Sequence, residues 1–376
     1  MSYTATLERL KSEGNFRTIP DGSTPGVIDL SSNDYLGLAS DSSLVQRFFE
    51  STKSGDFPAM TSSASRLLAQ NQEEYHRLEQ KLSRLYGSRS VLLFNSGYHA
   101  NTGLISALAS EPRTLIVADK LVHASMIDGM ILSRAPFRRF AHNDLEHLER
   151  IITKEIDNYD RIIVCVESVY SMDGDSPDID TLISIKQRFQ GKVMLYIDEA
   201  HAFGVCGPKG LGLCAASPMM DEVDIIVGTF GKAAASCGAF AVMSAGMHDY
   251  AVNRSRSLIF STALPPINIA WTHFILDRMT GMDAERRHLH ELSEQIAGGI
   301  SPTTEASHII PVIVGDARLT VDLSRRLLDE GFKVLPIRTP TVPPGTERLR
   351  ISLSASLTMP DADRFISCMN HCLSHT

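Results

Sequence analysis

Short apolar runs alternate with helical patterns through the middle of the chain. The runs lie at 91–94, 115–118, 162–166, 193–197, 225–227 and 239–243. Several are apolar on both faces, which is typical of parallel strands covered by helices. Helical patterns lie between them, near 100–108, 125–132 and 179–189. The alternation predicts an α/β fold, a doubly wound and mostly parallel sheet with helices on both faces.

The pattern changes after Pro265 and Pro266, where a long helical stretch begins at about 267 and runs to 295. Strand patterns follow at 308–314, 333–337 and 349–353, and helical patterns at 319–330 and 361–373. We therefore predict an N-terminal arm over 1–44, a large α/β domain over 45–270 and a smaller C-terminal α+β domain over 271–376. The length of 376 residues agrees with one large and one small domain.

Composition and charge narrow the class of protein. The net charge of −8 argues against a nucleic-acid partner, and no apolar run reaches the length of a membrane span. The N-terminal residues lack the apolar core of a signal peptide, and none of the six cysteines forms a CxxC pair. We expect a cytoplasmic enzyme with free thiols. Two cysteines and two histidines near the C-terminus suggest a metal site, but a helix that happens to carry them is the simpler interpretation, so no metal is expected: Cys368, His371, Cys372 and His375.

An acidic residue and a lysine are the main candidates for catalytic residues. Asp198, three residues before His201, ends an apolar strand, where open α/β sheets bind ligands. Taken alone, the pair also fits a loop cap or a metal site. Lys232 follows the next strand in a turn rich in Gly, Ala and Ser, where a desolvated lysine can form a Schiff base. Together they are the two protein groups that a pyridoxal 5′-phosphate (PLP) site most needs, because the carboxylate pairs with the pyridinium nitrogen.

Two strand-to-helix turns fit the same cofactor. Residues 95–99, Asn-Ser-Gly-Tyr-His, follow a strand and open a helix. Exposed N–H groups at a helix N-terminus, approached closely because of Gly97, bind phosphate. An ordinary turn with an N-cap serine is the alternative. His123 begins another helix, where it either stacks on the cofactor ring or caps the helix.

Eight segments together resemble the α-oxoamine synthases, a family of fold-type I PLP-dependent enzymes. The resemblance spans nearly the whole chain, and the shared order and spacing are more specific than any one segment. The segments are LSSNDYLGLAS, DKLVHASMIDG, RRFAHNDLEHLE, ESVYSMDGD, IDEAHAFGVCGPKGLG, GTFGKA, FSTALPP and IRTPTVPPGTERLRISLSA.

This resemblance implies that PLP is the cofactor and assigns its contacts. Lys232 matches the Schiff-base lysine, and Asp198 matches the partner of the pyridinium nitrogen. The other implied contacts are His123 on the ring face, His201 and Ser171 near the phenolic oxygen, and Gly97, Tyr98, Thr229 and Thr262 on the phosphate.

The resemblance also implies the substrates and the assembly. Arg350, assisted by Asn33, matches the residue that clamps the amino-acid carboxylate, and Arg17 matches the acyl-substrate arginine. Thr262 matches a contact supplied by the neighbouring subunit, which implies a homodimer with a shared active site. Within the family, the segments favour condensation of L-alanine with pimeloyl-CoA or a pimeloyl carrier protein. The alternatives are a member that uses glycine or serine, an aminotransferase on the same fold and, more distantly, a non-catalytic ligand-binding regulator.

Two segments depart from the family pattern. The segment before Arg66, which is usually rich in glycine, reads Met-Thr-Ser-Ser-Ala-Ser, and the stretch after Lys232 also has fewer glycines than usual. We expect reduced backbone freedom there, with consequences for the placement of the acyl chain or thioester but not for the cofactor chemistry.

Overall fold

The computed structural model describes residues 3–19, 22, 26–52, 57–189, 191–300 and 306–374. No helix within these ranges combines the length and apolar character needed to cross a membrane. The helices are α1 (Tyr3–Ser12), α2 (Ser43–Ser51), α3 (Glu73–Leu85), α4 (Gly97–Ala109), α5 (Ala124–Ser133), α6 (Leu145–Glu155), α7 (Ile179–Arg188), α8 (Ala245–Arg254), α9 (Arg256–Ile259), α10 (Pro266–Met279), α11 (Asp283–Ile300), α12 (Ala317–Asp329) and α13 (Met359–Ser374). The strands are β1 (Ile28–Asp29), β2 (Ser90–Phe94), β3 (Thr114–Asp119), β4 (Phe137–Phe140), β5 (Arg161–Glu167), β6 (Val193–Asp198), β7 (Ile225–Thr229), β8 (Ala239–Met243), β9 (Ile309–Ile313), β10 (Phe332–Lys333), β11 (Leu335–Ile337) and β12 (Arg348–Ser352).

Seven strands form the main sheet in the order β2-β8-β7-β6-β5-β3-β4. Only β8 runs antiparallel to its neighbours, so the prediction of a mostly parallel sheet is confirmed. All six predicted runs are strands of this sheet. The edge strand β4 was not predicted, because three of its four residues are exposed and two are arginines. Exposed charge is common on edge strands and removes the apolar signal on which prediction depends.

The chain divides into two compact units. The large unit contains 37–170 and 176–283, and the small unit contains 1–36, 171–175 and 284–376. The predicted border at 270 therefore differs from the observed one. The reason is that α10 stays with the large unit, where Trp271 and Phe274 pack around Phe48 with ring centroids 5.4 and 5.6 Å from it.

The long helix predicted over 267–295 is two helices, α10 and α11. The first ends at Met279, and a turn over 280–282 separates it from the second. The hydroxyl of Thr280 donates to the Leu276 carbonyl at 3.1 Å, and Gly281 follows it. Glycine in a helix interior costs about 0.5–1 kcal/mol, which favours a break at this position.

Helices α4 and α5 pack closely in the core of the large unit. A side-chain carbon at Gly129 would lie 2.9 Å from the Asn101 carbonyl oxygen and 3.0 Å from Cβ of Ile105. Glycine at 129 is therefore what lets the two helix backbones approach.

The small unit contains two short sheets. Strands β11, β12 and β9 form an antiparallel sheet, and β1 pairs with β10 in parallel. The single strand predicted over 333–337 is therefore two strands that belong to different sheets. Strand β1, near the N-terminus, pairs with a strand close to the other end of the chain.

Candidate functional site

The chemistry-bearing residues of the large unit follow the carboxyl ends of its parallel strands. Strand β2 ends just before Asn95, β6 ends with Asp198 and β7 ends with Thr229. The turn after β7 carries Lys232, and the turn after β6 carries His201. Because these parallel strands run in the same direction, the residues that follow their carboxyl ends lie at the same edge of the sheet.

The lysine and the histidine are in contact. Nζ of Lys232 lies 2.8 Å from Nε2 of His201. His201 is buried and Lys232 is half-buried. Lys232 lies in a tight turn, in which the N–H of Ala235 donates to the Lys232 carbonyl at 2.9 Å.

Asp198 is a buried carboxylate with two fixed donors. Its Oδ2 accepts a hydrogen bond from Nδ2 of Asn101 at 2.7 Å, and its Oδ1 accepts from the N–H of Ala200 at 2.8 Å. The side chain is 4% exposed. A buried charge is tolerated only where hydrogen bonds or an opposite charge compensate it, so this carboxylate suits a cationic ring nitrogen.

His123 caps the N-terminus of α5 and exposes its ring. Its Nδ1 accepts from the N–H of Ser125 at 3.2 Å and lies 2.8 Å from the Ser125 hydroxyl. Partial desolvation by the surrounding protein lowers the pKa of His123, and Lys232 lowers it further against the opposing effect of Asp198. The predicted helix cap is therefore present, and stacking of His123 on the cofactor ring stays a prediction.

The N-terminus of α4 adjoins Thr229. Ser96 caps the helix by accepting from the His99 N–H at 3.2 Å. A side-chain carbon at Gly97 would lie 3.8 Å from Cβ of Thr229, so the two predicted phosphate residues are neighbours. The Thr262 carbonyl accepts from Nδ2 of Asn95 at 2.7 Å, which places Thr262 beside the same turn. The Tyr98 hydroxyl donates to Oδ2 of Asp128.

Arg350 lies in the small unit, where four groups surround its guanidinium. Its Nε donates to the Ser171 carbonyl at 2.5 Å, and its Nη1 donates to the Ser352 hydroxyl at 2.6 Å. Its Nη2 lies 3.2 Å from Oδ1 of Asn33 and 3.3 Å from the Tyr35 hydroxyl. The predicted pairing of Arg350 with Asn33 is present, and the structure adds Ser171 to this group. Arg17 is exposed in the same unit, and its Nη2 donates to the Thr341 hydroxyl at 3.0 Å.

Three residues of the site were not predicted. Asn101 and Ser125 connect Asp198 to His123, and Tyr196 donates to Oδ1 of Asn101 at 2.8 Å. The sequence signal that could have identified Asn101 is its position as a polar amide inside the apolar stretch that forms α4. Such a residue is expensive to bury unless its partners are fixed.

No metal site is evident in the described part of the chain, where no group of three or more His, Cys, Asp or Glu side chains could hold an ion. His375 of the suggested C-terminal cluster lies outside the described residues. Cys368 and Cys372, one helical turn apart in α13, do not form a disulfide.

The residues of the large unit fit PLP in kind. An amine can hold an aldehyde, a buried carboxylate can face a ring nitrogen, an exposed imidazole can lie against a ring, and a capped helix N-terminus can bind phosphate. Lys232, Asp198, His123 and the Gly97 turn supply these four functions in one unit.

Comparison with known proteins decides the family. A sequence model described as "Aminotransferase class I and II" matches residues 25–368. The chain belongs to this family. A Pasteurella multocida relative assigned as an 8-amino-7-oxononanoate synthase is 47% identical, and the match covers 98% of each chain.

Solved structures of the aminotransferase class I and II fold agree. A Sphingomonas wittichii serine palmitoyltransferase has a TM-score of 0.88 at 26% identity and covers 99% of this chain and 96% of its own. Other structures of serine palmitoyltransferase with the same score contain PLP. An 8-amino-7-oxononanoate synthase from Francisella tularensis has a TM-score of 0.76 at 25% identity, covering 93% of this chain and 98% of its own. The predicted PLP-dependent fold is confirmed, and the chain is an enzyme of the α-oxoamine synthase type.

Proposed function

We propose that this enzyme condenses L-alanine with a pimeloyl thioester, releasing carbon dioxide, free thiol and 8-amino-7-oxononanoate for biotin synthesis. The observation that carries the proposal is the contact between Lys232 and His201 beside the buried carboxylate of Asp198. The choice of substrates is supported by the relatives at 43–47% identity that are assigned to this activity. None of the six cysteines forms a disulfide, which supports the expected cytoplasmic location.

PLP supplies an electron sink that stabilises a carbanion at the α-carbon of the amino acid. Lys232 would hold the aldehyde of the cofactor, and its free amine would be the base that takes the α-proton of the amino acid and returns one. His201 fixes the position of the Lys232 amine through their 2.8 Å contact. Asp198 would hold the charge of the ring nitrogen, and His123 would pack on the ring face. Gly97, Tyr98 and Thr229 would bind the phosphate together with Thr262 of the partner subunit, and His201 and Ser171 would lie near the phenolic oxygen.

Arg350 binds the carboxylate of alanine in this proposal, and Asn33 orients it. A guanidinium can hold a carboxylate by two parallel hydrogen bonds, which fixes the orientation of the bound carboxylate. Arg17 is assigned to the acyl substrate, because its exposed guanidinium is free of any carboxylate partner among the described residues.

We propose a homodimer that buries an apolar part of the large unit. Ile131 and Leu132 of α5 are 60% and 64% exposed, and Phe260 is 69% exposed. Leu132 and Phe260 line a cleft of about 580 Å³. Exposed apolar side chains can mark a protein–protein interface, and a second copy of the chain is the partner that the resemblance implies. Light scattering should give twice the chain mass, and Leu132→Asp should reduce it.

One experiment separates the substrate alternatives. Purified enzyme with PLP is incubated with alanine, glycine or serine and with acetyl, pimeloyl or palmitoyl thioesters, on CoA and on carrier protein, and the released free thiol is measured. We expect turnover with alanine and a pimeloyl donor. Activity with serine and palmitoyl thioester would instead support the activity of the serine palmitoyltransferase relatives, whose fold is the better match by TM-score. Turnover with acetyl donors only would overturn the proposal.

A further inference from the structure

Asn101 joins two parts of the predicted cofactor site that come from different elements. It lies on α4 and is 1% exposed, in a helix that is otherwise mostly apolar. Its Nδ2 donates to Oδ2 of Asp198 at 2.7 Å and to the hydroxyl of Ser125 at 2.9 Å. Both hydrogens of the amide are therefore in use, one toward the end of β6 and the other toward the start of α5.

Tyr196 fixes the orientation of this amide. Its hydroxyl lies 2.8 Å from Oδ1 of Asn101. Burial raises the pKa of Tyr196 well above its usual value, and the nearby Asp198 raises it further, so the hydroxyl keeps its hydrogen and donates it. The amide oxygen must accept that hydrogen, and the NH₂ group must then face Asp198. The reverse orientation would place the amide oxygen against a carboxylate.

The hydrogen bonds continue from Asn101 through Ser125 to His123, with the same order of donor and acceptor. Because its hydroxyl oxygen accepts from Asn101, its hydrogen is available to Nδ1 of His123 at 2.8 Å. The N–H of Ser125 also donates to this nitrogen. Nδ1 is therefore an acceptor, and a neutral His123 ring carries its hydrogen on Nε2.

We propose that Asn101 is a positioning residue that sets the orientation of Asp198 and the tautomer of His123 together. The proposal rests on the assignment of these two residues to PLP in the proposed function. Asn101 contacts no reacting atom, and it acts through the two residues that do. One amide thus links Asp198, which is assigned to the ring nitrogen, with His123, which is assigned to the ring face.

The test separates this role from a contribution to folding. Asn101→Leu has a similar size and shape and makes no side-chain hydrogen bonds, so it removes the polar contacts with little change in volume. We expect the variant to bind PLP more weakly, on the order of 10-fold to 100-fold, because a buried carboxylate loses a charge-assisted donor. The dissociation constant of PLP and the thermal midpoints of the apo and PLP-bound forms are measured.

The PLP-induced rise in thermal midpoint is the readout that a purely structural role would not change. Such a role lowers both midpoints equally, whereas weaker PLP binding reduces the difference between them. Ser106→Ala, on the same helix, is the matched control, since its hydroxyl bonds only within α4, to the Gly103 carbonyl. An Asn101→Leu protein with PLP affinity within about twofold of the wild type would overturn the proposal.

Two further variants decide the matter if Asn101→Leu does not fold. Tyr196→Phe removes the donor that orients the amide, and it should weaken PLP binding by roughly 3-fold to 10-fold. Ser125→Ala removes the connection to His123 and leaves the contact with Asp198, so its effect should be smaller. Unchanged PLP affinity in Tyr196→Phe would then refute the proposal. No acyl donor is used in any of these measurements, so failure of the pimeloyl condensation would refute the proposed function without affecting this result.

Discussion

Lys232 and His201 approach within 2.8 Å although they follow different strands, β7 and β6. This distance is that of a hydrogen bond between the amine and the imidazole. The pairing is a consequence of adjacent parallel strands whose following turns meet at one edge of the sheet. It restricts the amine to a small region before any substrate binds.

Replacing Lys232 by alanine should abolish covalent attachment of PLP and turnover with alanine. The expected loss of activity is at least about 1000-fold, since the same amine attaches the cofactor and moves the α-proton. Borohydride reduction followed by mass spectrometry should show a phosphopyridoxyl group on the wild type and none on Lys232→Ala. Lys120→Ala, at an exposed lysine, is the control. Steady turnover by Lys232→Ala would contradict the assignment of this lysine.

Tyr35→Phe should raise the KM for alanine roughly 3-fold to 10-fold while changing kcat much less. The Tyr35 hydroxyl lies 3.3 Å from Nη2 of Arg350 and donates to Oδ1 of Asn33 at 2.9 Å, so it orients both residues. A hydrogen bond of this kind contributes about 0.5–1.5 kcal/mol. Steady-state kinetics with varied alanine measures the effect, and Tyr3→Phe, at an exposed tyrosine, is the control. A fall in kcat with constant KM would place Tyr35 in another role.

Glu199→Gln should lower the free energy of unfolding by about 1–3 kcal/mol. Glu199 is fully buried, and its oxygens accept from the Ser168 hydroxyl at 2.6 Å and from the N–H groups of Leu213 at 3.0 Å and Cys214 at 2.6 Å. An amide has only one oxygen, so its NH₂ group would face a donor. Urea unfolding measures the change, with the exposed Glu146→Gln as control. Equal stability of the two variants would show that the buried carboxylate is not needed.

Asp119 should make stability sensitive to acid. Burial by itself would raise the pKa of Asp119, but hydrogen bonds from His142 and from the N–H groups of Leu121 and Asn143 outweigh it, and the pKa is lowered. The unfolded state therefore binds the proton more tightly than the folded state. The stabilisation is complete above a pH of about 4, the pKa of an unfolded aspartate, and is lost as the pH falls through the lower folded value.

The matched variant is Asp119→Asn. The difference in unfolding free energy between the wild type and Asp119→Asn should be greatest near neutral pH and should shrink as the pH falls below about 4. Urea unfolding at a series of pH values checks this. A difference that is independent of pH would mean that the charge of Asp119 contributes nothing.

Ala235→Gly should leave the protein equally stable or stabilise it by up to about 1 kcal/mol. Ala235 has a φ of +44°, in the left-handed region that costs an L-residue energy. Glycine avoids this cost but gains entropy in the unfolded chain, so the two effects partly cancel. Thermal unfolding measures the outcome, with Ala234→Gly as the control that should destabilise. A clear loss of stability in Ala235→Gly would show that the left-handed backbone of Ala235 is not strained.

The two segments with fewer glycines keep backbone conformations that favour glycine. Ser63 in the segment before Arg66 has a φ of +49°, close to the value at Ala235. Both segments therefore pass through the left-handed region without a glycine. We expected reduced backbone freedom in these segments, and these two residues are where it applies. Sequence reasoning identified the departures but not their conformation, which depends on the neighbouring contacts.

Prediction from the sequence succeeded where the signal is local. Buried strands of the main sheet are continuous apolar runs, so the sheet was predictable. Asp198 ends one of these strands and Lys232 follows another, and their catalytic roles stay predictions. Prediction failed where tertiary contacts decide the outcome. The border at 283 depends on Trp271 packing against Phe48, which no local pattern indicates. The role of Asn101 likewise depends on partners 24 and 97 residues away along the chain.

The pairing of β1 with β10 has a consequence for how the protein is made. Ile28 pairs with Phe332, about 300 residues later. Ribosomes add about 5–20 residues per second, so β1 leaves the ribosome on the order of 15–60 s before its partner strand exists. The large unit can fold during this interval, whereas the small unit cannot be completed until translation is nearly finished. A premature stop before residue 332 would therefore release a chain whose first strand has no edge to join.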